Sequence, residues 1–465
     1  MLQISGNMIN FSDLSFIFRF LPIFLIVYYG VPYRFRAIVL SLGSLVFYAV
    51  GDIRNLAVFI ICIAINYLIS FKTAERRGAF LFLIVVLDAT MLAFFKLAFS
   101  YGQGIMLPLG ISFFIFKMIS FQADLYMGKI KKFPGFWNEL AYFSMFPQVT
   151  QGPIMRYEDY LKNDLISGEA DMFLILKDRL ILCFERLEEG LFWFALGFGM
   201  KILIADHLAM MWNDIGTIGY ESISTPLAWA GAACYSLNLY FDFWGYSLMA
   251  AGIGVCLGFP FVENFNHPYA AGSVSEFYRR WHVTLGTWFR DYVYIPLGGS
   301  KKGNKKTAIN LVIVWLLTGF WHGVTFNFLI WCLALLVMIL AEKFILSKKE
   351  ILLKLIGRIN VLILIPVTWI AFAINSTSDL KNYLLRMFPV NGPGVAVNPG
   401  DFSKLSGMYG VFMVAGLILL IPAVFDFVNK HREKTVMKLA VLILFWICAC
   451  FASMKAGNPF MYLSF

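Results

Sequence analysis

Charge is what this chain has least of. Of its 465 residues only 14% are Asp, Glu, Lys or Arg and 60% are hydrophobic, where a soluble globular protein carries about 25% charged and 45–50% apolar residues. That shortage excludes an ordinary soluble domain. Histidine is equally scarce, with five in all. The seven cysteines (Cys62, Cys183, Cys234, Cys256, Cys332, Cys448 and Cys450) form no C-x-x-C pair, so neither a disulfide framework nor a zinc site is expected, and no other metal site is. There is no G-x-S-x-G elbow, no Walker A pattern and no H-E-x-x-H, which removes the serine hydrolase, P-loop and zincin classes. No internal repeat is visible, which counts against transporter folds assembled from repeats. The net charge of +10 comes from short basic clusters between apolar runs. It reads as membrane topology, and no nucleic-acid partner is expected.

What the chain has instead is long apolar runs. A spanning helix needs about 20 mostly apolar residues. Candidate spans are 14–31, 36–50, 55–71, 79–99, 107–128, 188–206, 226–256, 307–321, 326–346, 351–374, 408–428 and 439–454. The run 226–256 is long enough to be tilted or broken. The fold class is therefore an all-α polytopic membrane protein of about eleven or twelve spans. Nothing basic precedes the first apolar run and no small-residue cleavage site follows it, so that run is expected to be a retained span. The Lys- and Arg-rich turns should face the cytoplasm, and 100–106 and 207–225, which lack both residues, should face out. This puts the N-terminus outside.

The chain is expected to form a single integral membrane domain over 1–465, with N-terminal helices in 1–132, a core in 133–330 and C-terminal helices in 331–465. Three regions are not simple spans. Residues 133–160 are aromatic and carry Pro134, Pro147 and Pro153, which suits a re-entrant or interfacial segment, since irregular backbone at membrane depth must be covered by protein. Residues 161–187 are amphipathic, as in a cytoplasmic surface helix. Residues 375–407 are rich in Asn, Pro and Gly and suit an external loop.

The most polar stretch lies between spans. Ser275–Gly299, SEFYRRWHVTLGTWFRDYVYIPLGG, packs Arg279, Arg280, His282, Arg290 and Asp291 among seven aromatic rings. A central Arg or Asp costs about 2.5–3.5 kcal/mol on membrane-insertion scales, so charge here marks a working site by default. On a helix over 277–292, Phe277, Trp281, Leu285, Trp288 and Tyr292 share one side and Arg279 and Arg290 the other. The plainer alternative is an interfacial helix with snorkelling arginines.

His322 lies in LLTGFWHGVTFNF, where Gly319 and Gly323 permit close packing or a helix break. It is either a helix–helix hydrogen-bond partner or a neutral general base. His207, at an expected helix end, His267, before a proline, and His431, in KHREK, read as capping, loop and surface groups. Asp242, in LYFDFWGYS, is an intramembrane carboxylate with no Lys or Arg nearby in sequence, and Asp124, in FQADLYMG, is a similar intramembrane carboxylate. Each could relay protons or bond a neighbouring helix.

These residues resemble the membrane-bound O-acyltransferase family, nearest to its bacterial branch of alginate and peptidoglycan O-acetylases. The likeness runs through FRFLPIFLIVYYGVP (18–32), LPLGISFFIFKMISFQADLYMG (107–128) and MFPQVTQGPIMRY (145–157). It continues in SLNLYFDFWGYSLMAAGIG (236–254), GFPFVENFNHPYAAGSVSEFYRRWHVTLGTWFRDYVYIPLGG (258–299), TGFWHGVTFNFLIW (318–331) and the terminal NPFMYLSF. Tyr278 stands where Trp is commoner. Val324–Phe326 and the CLALLVM after Trp331 also depart from many relatives. PLGG followed by KKGNKK favours the alginate-type branch over the D-alanylating teichoic-acid branch. Members usually begin at a position like Met8, so residues 1–7 read as an extension.

The resemblance implies a ring of tilted helices with re-entrant helices around a central tunnel. It makes His322 the catalytic histidine and His282 its supporting partner. Donor-binding roles are expected for Arg279, Arg280, Arg290, Trp281 and Trp321, and supporting roles for Asp242, Asp291, Glu276 and Asn327. No permanent cofactor is expected. The implied donor is acetyl-CoA or another acyl thioester, from CoA or an acyl carrier, and the acceptor is a hydroxyl on a secreted partner or on a polysaccharide at the outer face. A separate extracytoplasmic acetyltransferase, surrounding membrane lipid and a multi-pass place in the cytoplasmic membrane complete the expectation. The rivals are a transporter or flippase using Asp242, Asp124 and the histidines as a proton relay, a passive scaffold, and a D-alanyl transferase.

Overall fold

A computed structural model describes residues 10–102, 104–167, 176–389 and 397–454. The terminal NPFMYLSF and residues 1–7 lie outside the described residues. Among the described residues the chain is helical, with no strand and a single antiparallel bridge, Phe265 to Trp281. Eight helices among the described residues are long and apolar enough to cross a membrane. Other expected spans are helices that fall short in length or apolar content: Phe16–Gly30, Ile111–Tyr126, Thr225–Cys256 and Gly303–His322. The chain is a multi-pass membrane protein.

Several boundaries move, each for a local reason. Thr225–Cys256 is one unbroken helix of 32 residues. The expected span 188–206 belongs to a continuous helical run to Ile218, through a π-helical stretch at Met200–Ala205. His207 therefore lies inside a helix, stacked 3.9 Å from the Phe412 ring. Part of the expected surface helix 161–187 lies outside the described residues, and Leu176–Gly199 runs on into the span. The span 408–428 is two helices, Asp401–Leu419 and Pro422–Lys430, because proline cannot continue the first. The expected external loop 375–407 carries a helix, Thr377–Met387, whose N-cap Ser376 accepts from the Asp379 N–H at 3.2 Å.

The chain forms two compact units. The first holds the described residues within 1–198, 246–263 and 441–454. Its core is aromatic: Phe146 meets Phe20, Phe24 and Phe47 with ring centroids 5.1–5.5 Å apart. Every residue from Glu139 to Met155 is buried, so the proline-broken segment around 133–160 is covered by protein as irregular backbone in a membrane protein must be. Gly110 shows how tightly. Its φ is +66°, and a Cβ there would lie 1.8 Å from the Val149 carbonyl oxygen, so only glycine fits.

The second unit holds the described residues within 199–245 and 264–440, and contains both candidate histidines. Its frame is made by the helices Gly303–His322, Phe326–Phe344 and Glu350–Ile359, the last running on to Ala373. At Gly357 a Cβ would lie 2.1 Å from the Gly272 carbonyl oxygen. The helix Glu350–Ile359 thus touches the chain just before the polar segment backbone to backbone.

Candidate active site

The polar segment does not form the single helix expected over 277–292. It folds as Val274–Arg280, a break at Trp281 and His282, then Val283–Phe289 and a π-helical turn at Arg290–Tyr294. His282 is the break, with φ 45° and ψ 54° in the left-handed region. That conformation costs a non-glycine residue roughly 1–2 kcal/mol, and such strain persists only where surrounding bonds hold it. The bonds are present. The Val283 N–H donates to the Asn264 carbonyl at 2.9 Å, and the Asn266 N–H to the Arg280 carbonyl at 2.9 Å. His267, in the segment across this bridge, takes the same conformation, φ 45° and ψ 58°.

Two further anchors fix the segment. The Glu342 carboxylate accepts from the Val274 N–H at 2.6 Å, the Ser275 N–H at 2.9 Å and the Ser275 hydroxyl at 2.9 Å. It covers the open N–H groups of the helix start, where negative charge is favoured. The Arg358 guanidinium donates to the Tyr269 and Ala271 carbonyls, both at 3.0 Å. Ser273 caps the same helix by accepting from the Glu276 N–H at 3.1 Å, and Glu276 reaches back to accept from the Gly272 N–H at 2.8 Å. This is close to a capping box. The Gly272 bond, helped by Arg280, holds the Glu276 carboxyl below its usual value.

The break aims the His282 ring inward. Phe243 meets it edge-on at 4.7 Å, and Trp321 lies at 6.3 Å between ring centroids. His282 Nδ1 lies 3.0 Å from Asn264 Oδ1. Burial pulls the imidazole down from its ordinary 6.5 to about 3, so the ring is neutral across the physiological range. His322 ends the helix Gly303–His322. Its ring centroid is 4.3 Å from Trp321, 5.0 Å from Trp331 and 5.0 Å from Phe372. Gly323 follows, where a Cβ would sit 2.4 Å from the Phe328 ring. Exposure is 7% for His322 and 3% for His282. Two imidazoles forty residues apart in sequence thus both have one indole, Trp321, as a ring neighbour.

The other expected site residues fall elsewhere. Trp281 is buried among Tyr240, Phe265, Phe277 and Trp369, a packing position. Arg279 and Arg280 close the last turn of Val274–Arg280, where Arg280 donates to Glu276 at 2.5 Å. Arg290 is exposed and pairs with Asp291 at 2.8 Å. Asn327 is buried. It donates to the Ile374 carbonyl and accepts from the Thr377 hydroxyl at 3.2 Å, tying two helices together.

Asp242 is not the lone intramembrane carboxylate that its candidate span suggests. Lys201 Nζ lies 2.7 Å from it and 2.8 Å from Asp206. The π-helical turn explains the second contact. Five residues on an α-helix are 140° apart, but here the Asp206 N–H donates to the Lys201 carbonyl, the wider i to i+5 turn, which brings both side chains to one side. Asp124 is also paired, with Lys129 at 2.8 Å. No cluster that could hold a metal ion occurs among the described residues.

Fold and site together define a class: a multi-pass helical membrane protein with a pair of buried imidazoles in an aromatic cage. Residues 41–348 match the MBOAT, membrane-bound O-acyltransferase, family, and the chain belongs to it. It is 37% identical over 344 residues to a probable alginate O-acetylase of Pseudomonas putida, covering 69% of this chain and 68% of that protein. It is 31% identical over 368 residues to a peptidoglycan O-acetyltransferase of Helicobacter pylori, covering 69% and 68%. A teichoic acid D-alanyltransferase of Bacillus subtilis is 28% identical over 231 residues, 48% of this chain and 55% of that one. The matches span about two thirds of the O-acetylases' length. Family and relatives make the protein an O-acyltransferase by class.

Proposed function

We propose that this protein moves an acetyl group from a cytoplasmic thioester, acetyl-CoA, to a hydroxyl at the outer face of the cytoplasmic membrane, for O-acetylation of an envelope or secreted polysaccharide. The observation that carries it is the pair His282 and His322, both buried and both facing Trp321. His322 takes the proton of the acceptor hydroxyl as its oxygen attacks the thioester carbonyl. The C–O bond forms, the C–S bond breaks, and the thiolate leaves with that proton from the imidazolium. Such a base contributes roughly 10²–10⁴-fold. Arg279, Arg280 and Arg290, with Lys301, Lys302, Lys305 and Lys306, supply cations for the donor's phosphates, and Trp321 lines the reacting end. An extracytoplasmic acetyltransferase completes delivery to the polymer.

The alginate- and peptidoglycan-directed relatives favour acetyl over D-alanyl transfer, since the D-alanyltransferase match covers less of the chain. The ion pairs on Asp242 and Asp124 weigh against a transporter that uses them as a proton relay. The test uses purified protein in detergent, with free thiol release from acetyl-CoA as the readout. Release that depends on His322 is expected. A protein that binds acetyl-CoA and never frees CoA would overturn the proposal in favour of transport.

A further inference from the structure

Resting on the proposed role of the imidazole pair, we infer that Asn264 is a positioning residue that locks His282 in its Nδ1–H tautomer. The Nε2 atom then carries the lone pair. His282 takes part as a hydrogen-bond acceptor, toward the attacking hydroxyl or an N–H of its partner imidazole, and not as a donor that polarises the thioester carbonyl.

The argument runs through one oxygen. Asn264 is buried, and its Oδ1 meets three groups: the Thr284 N–H at 3.3 Å, the Thr284 hydroxyl at 2.9 Å and His282 Nδ1 at 3.0 Å. A backbone N–H can only donate, so the atom facing it is the amide oxygen. The reversed amide would set two donors against each other. That oxygen cannot donate to Nδ1, so Nδ1 carries the hydrogen. Burial keeps the ring neutral, and a neutral imidazole has one N–H. Nε2 is left as the acceptor atom.

The backbone makes the arrangement rigid. The Val283 N–H binds the Asn264 carbonyl at 2.9 Å, so residues 264 and 282–284 are joined through both main chain and side chain. The left-handed conformation of His282 is the cost of turning its ring back to Asn264. Phe243 and Trp321 are the ring's aromatic neighbours. Of the nearby arginines, Arg280 is engaged by Glu276 and Arg279 is exposed. A carbonyl oxygen is itself an acceptor, so it gains nothing from Nε2, whereas a hydroxyl or N–H does.

The test is solid-state NMR of the full chain in lipid bilayers with ¹³C,¹⁵N-labelled histidine. The wild-type spectrum minus that of His282→Gln at neutral pH isolates this ring. A protonated Nδ1 and a bare Nε2 are expected, and the opposite tautomer overturns the inference. Asn264→Asp places a carboxylate against Nδ1–H and should raise the pH at which this ring becomes doubly protonated by at least one unit. An unchanged titration also overturns it. If His282→Gln is not recovered folded, the wild-type minus Asn264→Asp difference reports the same ring. Thiol release by His282→Ala is scored separately. Full activity there defeats the catalytic role of His282 while leaving the tautomer result standing.

Discussion

Lys201 carries the strongest prediction about the second unit's stability. Its ammonium lies 2.7 Å from Asp242 and 2.8 Å from Asp206, with side-chain exposures of 2%, 3% and 7%. Lys201→Met keeps much of the volume and removes the cation from between two buried carboxylates. Removing one partner of a buried ion pair costs about 3–5 kcal/mol, because the remaining charge has lost its compensation. Replacing the whole group by neutral side chains is often harmless. The triple variant Lys201→Met, Asp206→Asn, Asp242→Asn should therefore recover at least half of the loss. The assay is equilibrium unfolding of detergent-solubilised protein in mixed micelles, comparing wild type, single and triple variants. A single variant within 0.5 kcal/mol of wild type, read from the same titration, would show that the group contributes nothing, and the reasoning about it would be wrong.

His282 should make stability depend on pH. Its folded value, about 3, lies below the ordinary 6.5, so between those values the unfolded chain binds more protons. Stability from this ring is complete above about 6.5 and falls as pH drops, by about 1.4 kcal/mol per unit. Between pH 7.5 and 4.5 the wild type should lose roughly 2–3 kcal/mol more than His282→Gln, and parallel melting curves would contradict this. At Gly357 a Cβ would meet the Gly272 carbonyl oxygen at 2.1 Å. Gly357→Ala should therefore displace the polar segment, lowering yield and thiol release together, and normal release at normal yield would refute that packing.

Much of the fold was legible because its signal is local. Apolar runs mark spans whatever the tertiary structure, and proline and charge clusters mark their ends. The burial of 139–155 followed from its irregular backbone in a membrane protein. The site was less legible. Periodicity placed 277–292 on one helix, but the left-handed turn at His282 depends on pairing with residues 264–266, and no local pattern encodes that. Asn264 stood within the quoted ENFNHPY motif without being singled out, since its partner is 18 residues away. Lys201 was missed for two reasons. Asp242 is 41 residues away, and Asp206 shares a side with it only through a π-helical turn. Glu342 lies in an apolar helix, and nothing local marks its role, because its three donors belong to Val274 and Ser275 far away in the sequence.

The central claim is that the His322 imidazole takes the proton of the acceptor hydroxyl. The most direct measurement is ester-linked acetate on the envelope polymer of cells carrying His322→Ala at wild-type membrane abundance. The account predicts a drop of about 10²-fold or more, into the assay background. Acetylation within a few-fold of wild type would contradict it.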